Sequence, residues 1–115
     1  MAYKYKSANE KSIIMLEPIE NEGFYAYILL CADGTFYTGW TVNIAKRIEA
    51  HNSGSGSKYT STRLPVVLVY YEEFDNKREA MSREWHTKKL SRERKEKLIK
   101  RAQGLIHTSS LLISV

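Results

Sequence analysis

The chain is poor in the residues that staple small proteins together. Its 115 residues include one cysteine, Cys31, and three scattered histidines. One thiol closes no internal disulfide, and this set makes no Cys-rich zinc site, so a reducing, cytoplasmic setting is expected. Long apolar runs are missing as well. The N-terminal run Ile13, Ile14, Met15, Leu16 is too short for a signal-peptide core or a membrane span, so neither export nor a membrane partner is expected. No internal repeat is visible, and the length allows a single modest core.

What is present is an ordinary folded composition, 43% hydrophobic and 27% charged. The formal charge is +5, and it is unevenly spread. From Lys77 to Arg101 eleven Lys/Arg stand against four Glu, a segment of +7 that leaves −2 for the rest. Basic character gathered in one region is the footprint of a polyanion binder, with a plain solvated helix pair as the alternative.

Residues 24–31 and 35–40, "FYAYILLC" and "TFYTGW", are β-rich runs around Asp33-Gly34 and predict a hairpin. Asn43 caps a predicted helix that stops near Asn52, before "SGSGS", which reads as a mobile loop. "VVLVYYEEF" after Pro65 predicts a third strand. Asn76 with Glu79 opens a helix to about Lys89, and Ser91 caps another to about Arg101. The class is α+β, a small three-stranded antiparallel sheet flanked by helices. Residues 23–103 form the domain, preceded by an extension over 1–22, partly mobile, and followed by a tail over 104–115 whose apolar pieces add a strand or stay mobile.

Hairpin register decides whether Tyr27 and Tyr37 can cooperate, because a one-residue slip turns a whole strand over. A two-residue Asp33-Gly34 turn places them on opposite faces. A three-residue loop, Ala32-Asp33-Gly34 with Gly34 in a left-handed bulge, sets Leu29 opposite Tyr37 instead. One face then holds Tyr25, Tyr27, Leu29, Tyr37 and Gly39, and the other holds an apolar set that suits a core. Separating hydroxyls from apolar groups favours the bulged loop.

On the first helix Ile44 and Ile48 mark the buried stripe, with His51 in it and Arg47 on its flank. On the helix after Asn76, Met81, Trp85 and the stem of Lys88 are expected on the stripe, with Glu84 beside it. Taken singly, these polar groups read as packing accessories, Glu84 as an i, i+4 ion pair with Lys88.

Together they resemble the GIY-YIG nuclease family. Tyr25-Ala26-Tyr27 stands where GIY would be and Tyr37-Thr38-Gly39 where YIG would be, and the match continues through Asn43, Arg47, His51 and "SKYTSTRLPVVLVY" to Glu84 in "AMSREWHTKKLS". The closest resemblance is to small single-domain bacterial members. It implies an endonuclease that hydrolyses phosphodiester bonds of nucleic acid, DNA first, in repair or recombination, using one Mg²⁺ or Mn²⁺ ion and no small-molecule cofactor. The alternative is a nucleic-acid-binding module without cleavage. The implied roles put Tyr27 and Tyr37 beside the scissile phosphate and make Tyr37 or His51 the acceptor of the attacking water's proton. Arg47 binds the phosphate and Glu84 holds the metal. Lys58, Tyr59, Arg63, Lys88 and Lys89 are expected to contact nucleic acid. No appended recognition domain is expected, so the expectation is either low specificity or a partner protein that supplies targeting.

Overall fold

A computed structural model describes residues 13–114, with side chains as far as residue 104. The first twelve residues of the expected extension lie outside the described residues. Strands β1 (Phe24–Leu30) and β2 (Phe36–Thr41) form the hairpin, followed by helices α1 (Ile44–Asn52) and α2 (Lys58–Ser61). Strand β3 (Val67–Phe74) and helices α3 (Lys77–Lys88) and α4 (Arg92–Ser114) complete the order. The sheet is antiparallel with order β2-β1-β3, as the class requires.

The hairpin adopts the three-residue loop. Gly34 N donates to Cys31 O at 2.9 Å and Cys31 N to Thr35 O at 2.8 Å, with Gly34 at φ +86°. Asp33 fixes the turn by accepting from Thr35 N at 3.1 Å and from Thr35 Oγ1 at 2.7 Å. Leu29 therefore faces Tyr37, and Tyr27 faces Gly39. Both faces of the sheet are buried. The tyrosine face is no open surface, because Ile44 and Ile48 of α1 pack on Tyr25, Tyr27, Leu29 and Leu68. Tyrosine rings carry enough apolar area to build a second core layer. The other face packs Ile28, Leu30, Val69 and Tyr70 against Ile99 of α4. A bulge in β3 opposite Ile28/Leu29 turns both Val69 and Tyr70 to this side.

Three further expectations change. The "SGSGS" stretch is not a free loop: Ser53, Gly54 and Ser55 donate backbone hydrogen bonds into the end of α1, and Ser57 caps the short α2, which the sequence reading lacked. The buried residues of α3 are Ala80 and Thr87, with Glu84 half-buried between them, whereas Met81 and Trp85 are exposed. Small side chains let a helix approach a sheet closely, so the stripe runs through 80, 84 and 87 and not through 81, 85 and 88. Finally, α4 does not stop near Arg101 but runs to Ser114, neither strand nor loose tail, through the expected boundary at 103. Gly104 is the only weak helix former at that point and costs about 1 kcal/mol, too little to end a helix.

Residues 13–19 dock on the domain. Leu16 N donates to Leu68 O at 2.8 Å, and the buried Gln103 amide of α4 accepts from Ile14 N at 3.0 Å and donates to Ile14 O and Val69 O at 2.8 and 2.7 Å. No helix among the described residues is long and apolar enough to cross a membrane.

Candidate active site

Four expected site residues converge on the α1 side of the sheet. Asn43 caps α1 by accepting from Lys46 N at 3.0 Å, and Ile19 O takes the Ala45 N–H at 3.1 Å. This fixes the helix so that Arg47 and His51, one turn apart, both reach Tyr27. The Tyr27 hydroxyl lies 3.0 Å from His51 Nε2, and Arg47 Nε donates to it at 3.4 Å. Tyr37 closes the group with its ring centroid 5.0 Å from that of His51 and 6.5 Å from that of Tyr27.

Two glycines make room. A Cβ on Gly39 would lie 2.6 Å from Tyr27 Oη, so only glycine lets the ring lie across β2. A Cβ on Gly56 would fall on His51 Nδ1 and 2.6 Å from His51 Cα. The segment after α1 is thereby drawn over His51: Gly56 O accepts from Arg47 Nη2 at 2.8 Å, and Thr60 Oγ1 lies 2.8 Å from His51 Nδ1. Gly56, Ser57 and Thr60 were not singled out in the sequence. The signal was there in Ser57, an N-cap three residues ahead of Thr60, whose N–H it accepts at 3.1 Å.

The electrostatics follow from burial. His51 is wholly buried, and desolvation, aided by the Arg47 charge, pushes its pKa down to about 4, so it is neutral at pH 7. Burial pushes the Tyr27 hydroxyl up to about 12, outweighing the hydrogen bond from Arg47 that pulls it down. Arg47 is held above its ordinary value chiefly by that same hydrogen bond. Nearby cations therefore do not make Tyr27 a phenolate in the free protein.

Glu84 is not brought into this group by hydrogen bonds. It sits on the inner side of α3, which covers the opposite face of the sheet, where Lys77 lies over Trp40 at 5.7 Å and Arg83 pairs with Glu72 at 3.3 Å. The Glu84 carboxylate pairs with Lys88 Nζ at 3.2 Å and still acts on Tyr27 electrostatically. Among the described residues no group of three His, Cys, Asp or Glu side chains could hold a metal ion. A lone carboxylate does suit Mg²⁺ or Mn²⁺, which keep several waters and bind through one or two carboxylates plus substrate phosphates.

The expected nucleic-acid contacts divide in the same way. On the α1 side Tyr59 stacks on Tyr37 with centroids 6.1 Å apart, Lys58 is exposed, and Arg63 lies 3.8 Å over Tyr59. The Arg63 guanidinium is already engaged, by Asp33 Oδ2 at 3.0 Å and Tyr59 O at 2.7 Å. On the other side Lys88 holds Glu84, and Lys89 lies 4.3 Å over the Trp85 ring.

This register, helix and glutamate arrangement defines a class of protein. Residues 23–97 match the family model described as the GIY-YIG catalytic domain. A UPF0213 protein of Clostridium perfringens is 61% identical over 65% of this chain and 81% of its own length. Another, from Pediococcus acidilactici, is 51% identical over 84% of this chain and 99% of its own. The solution NMR structure of a protein from E. faecalis, 41% identical, aligns over 74% of this chain and 92% of that one with a TM-score of 0.52. The chain belongs to the GIY-YIG family, a family of nucleases, alongside small single-domain members named UPF0213.

Proposed function

We propose that this protein is an endonuclease that hydrolyses phosphodiester bonds of nucleic acid, DNA in the first instance, with one Mg²⁺ or Mn²⁺ ion. The observation that carries the reading is the chain of contacts from Arg47 through Tyr27 to His51. Arg47 donates to Tyr27 across a long 3.4 Å and offers a fixed fork of donors, so an arriving phosphate can take its guanidinium at little cost. That exchange frees the Tyr27 oxygen. His51 is sealed from water, so a proton reaches it only through Tyr27: the attacking water gives its proton to Tyr27 Oη while Tyr27 passes its own to His51 Nε2. The water oxygen bonds phosphorus, and the leaving oxygen departs with its electron pair and is protonated by solvent. Negative charge at the phosphoryl group also raises the proton affinity of His51, which burial and the Arg47 charge keep low.

Glu84 would hold the cation, giving up an exposed Lys88 partner worth a few tenths of a kcal/mol. Bound there, a divalent ion would neutralise charge developing on the phosphoryl and leaving oxygens. Because Glu84 and the tyrosines approach from opposite faces, the phosphate belongs at the edge strand β2, beside Gly39, where neither face has to be crossed. Tyr37 and Tyr59 offer rings for base stacking, and the exposed basic side chains of α3 and α4 extend the phosphate track past that edge.

The test is incubation of plasmid, branched and single-stranded DNA with Mg²⁺ or Mn²⁺, comparing wild type with Arg47→Ala and Glu84→Ala. The wild type should nick, and each variant should lose on the order of 100-fold in turnover. Equal nicking by all three would defeat the assignment. The Glu84–Lys88 ion pair favours one rival reading, a binding module whose carboxylate is purely structural. Retention of DNA with steep salt dependence and no cutting would establish that reading instead.

A further inference from the structure

We propose that Thr60, backed by Ser57, is a positioning residue that holds His51 in its Nδ1–H tautomer and so keeps Nε2 bare toward Tyr27. The proposal rests on the reading of Tyr27 and His51 as the proton path, and it follows from counting hydrogens along one chain of contacts. A guanidinium only donates, so at Arg47 Nε the Tyr27 oxygen is the acceptor. The hydroxyl hydrogen of Tyr27, a residue almost wholly buried, then needs an acceptor of its own, and His51 Nε2 stands 3.0 Å away. A neutral imidazole has one N–H, so the hydrogen sits on Nδ1 and points at Thr60 Oγ1, 2.8 Å away.

Thr60 can receive it because its own hydroxyl hydrogen has somewhere to go. Ser57 Oγ lies 3.0 Å from Thr60 Oγ1, with Ser57 O at 3.5 Å as a second acceptor. The Tyr27 hydroxyl, the His51 ring N–H and the Thr60 hydroxyl thus each have an acceptor. The opposite tautomer, with Nε2–H donating to Tyr27, leaves the buried phenol hydrogen without an acceptor in this arrangement. The same short stretch holds the other end of the chain, since Gly56 O fixes Arg47 Nη2. Gly56 can do so because it lacks the Cβ that would collide with His51. The segment from Gly56 to Thr60 therefore orients two site side chains without touching a substrate.

The experiment is NMR of ¹⁵N-histidine-labelled protein without nucleic acid, reading which ring nitrogen of His51 carries the proton. In the wild type Nδ1 is expected protonated and Nε2 bare, with a slowly exchanging Hδ1 signal that shows a cross-peak to Thr60. Finding the Nε2–H tautomer, or no such cross-peak, overturns the proposal whether or not any variant folds. Thr60→Val is expected to shift His51 toward Nε2–H, and Thr60→Ser to retain Nδ1–H. A Thr60→Val spectrum matching wild type also overturns it. Where the protein cuts DNA, Thr60→Val should lower kcat about tenfold at unchanged KM, and Thr60→Ser should restore it. The tautomer is read without substrate, so a protein that shows it and cuts nothing refutes the nuclease reading alone.

Discussion

Acidification from pH 7.5 to 4.5 should destabilise this protein more steeply than it destabilises a His51→Gln variant. His51 is neutral in the fold with a pKa of about 4, whereas its unperturbed value is 6.5. Below pH 6.5 the unfolded chain binds a proton that the native state refuses until about pH 4, so unfolding is favoured as the pH falls through that window. The stabilisation is fully present above pH 6.5 and is lost on the way down to 4. At one proton per molecule the slope approaches about 1.4 kcal/mol per pH unit, and between pH 7.5 and 4.5 the loss amounts to roughly 2.5 kcal/mol. His51→Gln lowers stability at neutral pH by removing a buried partner of Tyr27 and Thr60, but it has no proton to bind here. Urea titrations of both proteins at several pH values give the difference in slope, in which carboxylates common to the two, such as Asp33, cancel. Parallel curves would show that His51 is not desolvated as described and would remove the basis for a sealed proton acceptor.

Gly39→Ala places a Cβ 2.6 Å from Tyr27 Oη, and displacement of that ring should cost about 1–3 kcal/mol in calorimetry and abolish nicking. Among the described residues the buried Thr38 Oγ1 has no hydrogen-bond partner, so the nearly isosteric Thr38→Val should raise stability by about 1 kcal/mol in urea unfolding; a loss would reveal a partner for the hydroxyl. Gln103→Leu strips partners from Ile14 and Val69 and should lower stability by about 2–3 kcal/mol with nicking retained at temperatures where the variant stays folded.

The sequence was legible wherever one local rule decided the outcome. Asn43 and Asn76 announce helix starts through short-range hydrogen bonds, and the hairpin register follows from sorting hydroxyls and apolar groups. Reading failed where the deciding partner is distant. The depth to which Tyr25 and Tyr27 are buried was not legible, because the layer of α1 that covers them is not written in the strand. On α3, hydrophobicity pointed to Met81 and Trp85, but closeness of approach governs which side faces a sheet, and Ala80 and Thr87 permit it. The end of α4 escaped because a helix persists until something stops it, and a single glycine does not. The convergence of Tyr27, Tyr37, Arg47 and His51 was expected from the resemblance. The strap of Gly56 to Thr60 was not, since its role lies in a close approach and a hydrogen bond that composition does not record.

The Gln103 amide makes the two ends of the described chain report on each other. Its three bonds join the segment around Ile14, the β3 bulge at Val69 and the body of α4, three pieces remote in sequence. In hydrogen exchange, the Ile14 and Leu16 amides should behave as part of the cooperative unit that contains α4, exchanging only when that helix detaches, in place of fraying as an N-terminal arm would. A fragment cut to the family-model limits of 23–97 would discard both the amide and the Ile14 segment it fastens to Val69. Such a piece would keep Tyr27, Tyr37, Arg47 and His51 but lose Ile19, whose carbonyl holds the start of α1, while opening the opposite side of the sheet to water, so its inactivity would say nothing about the chemistry.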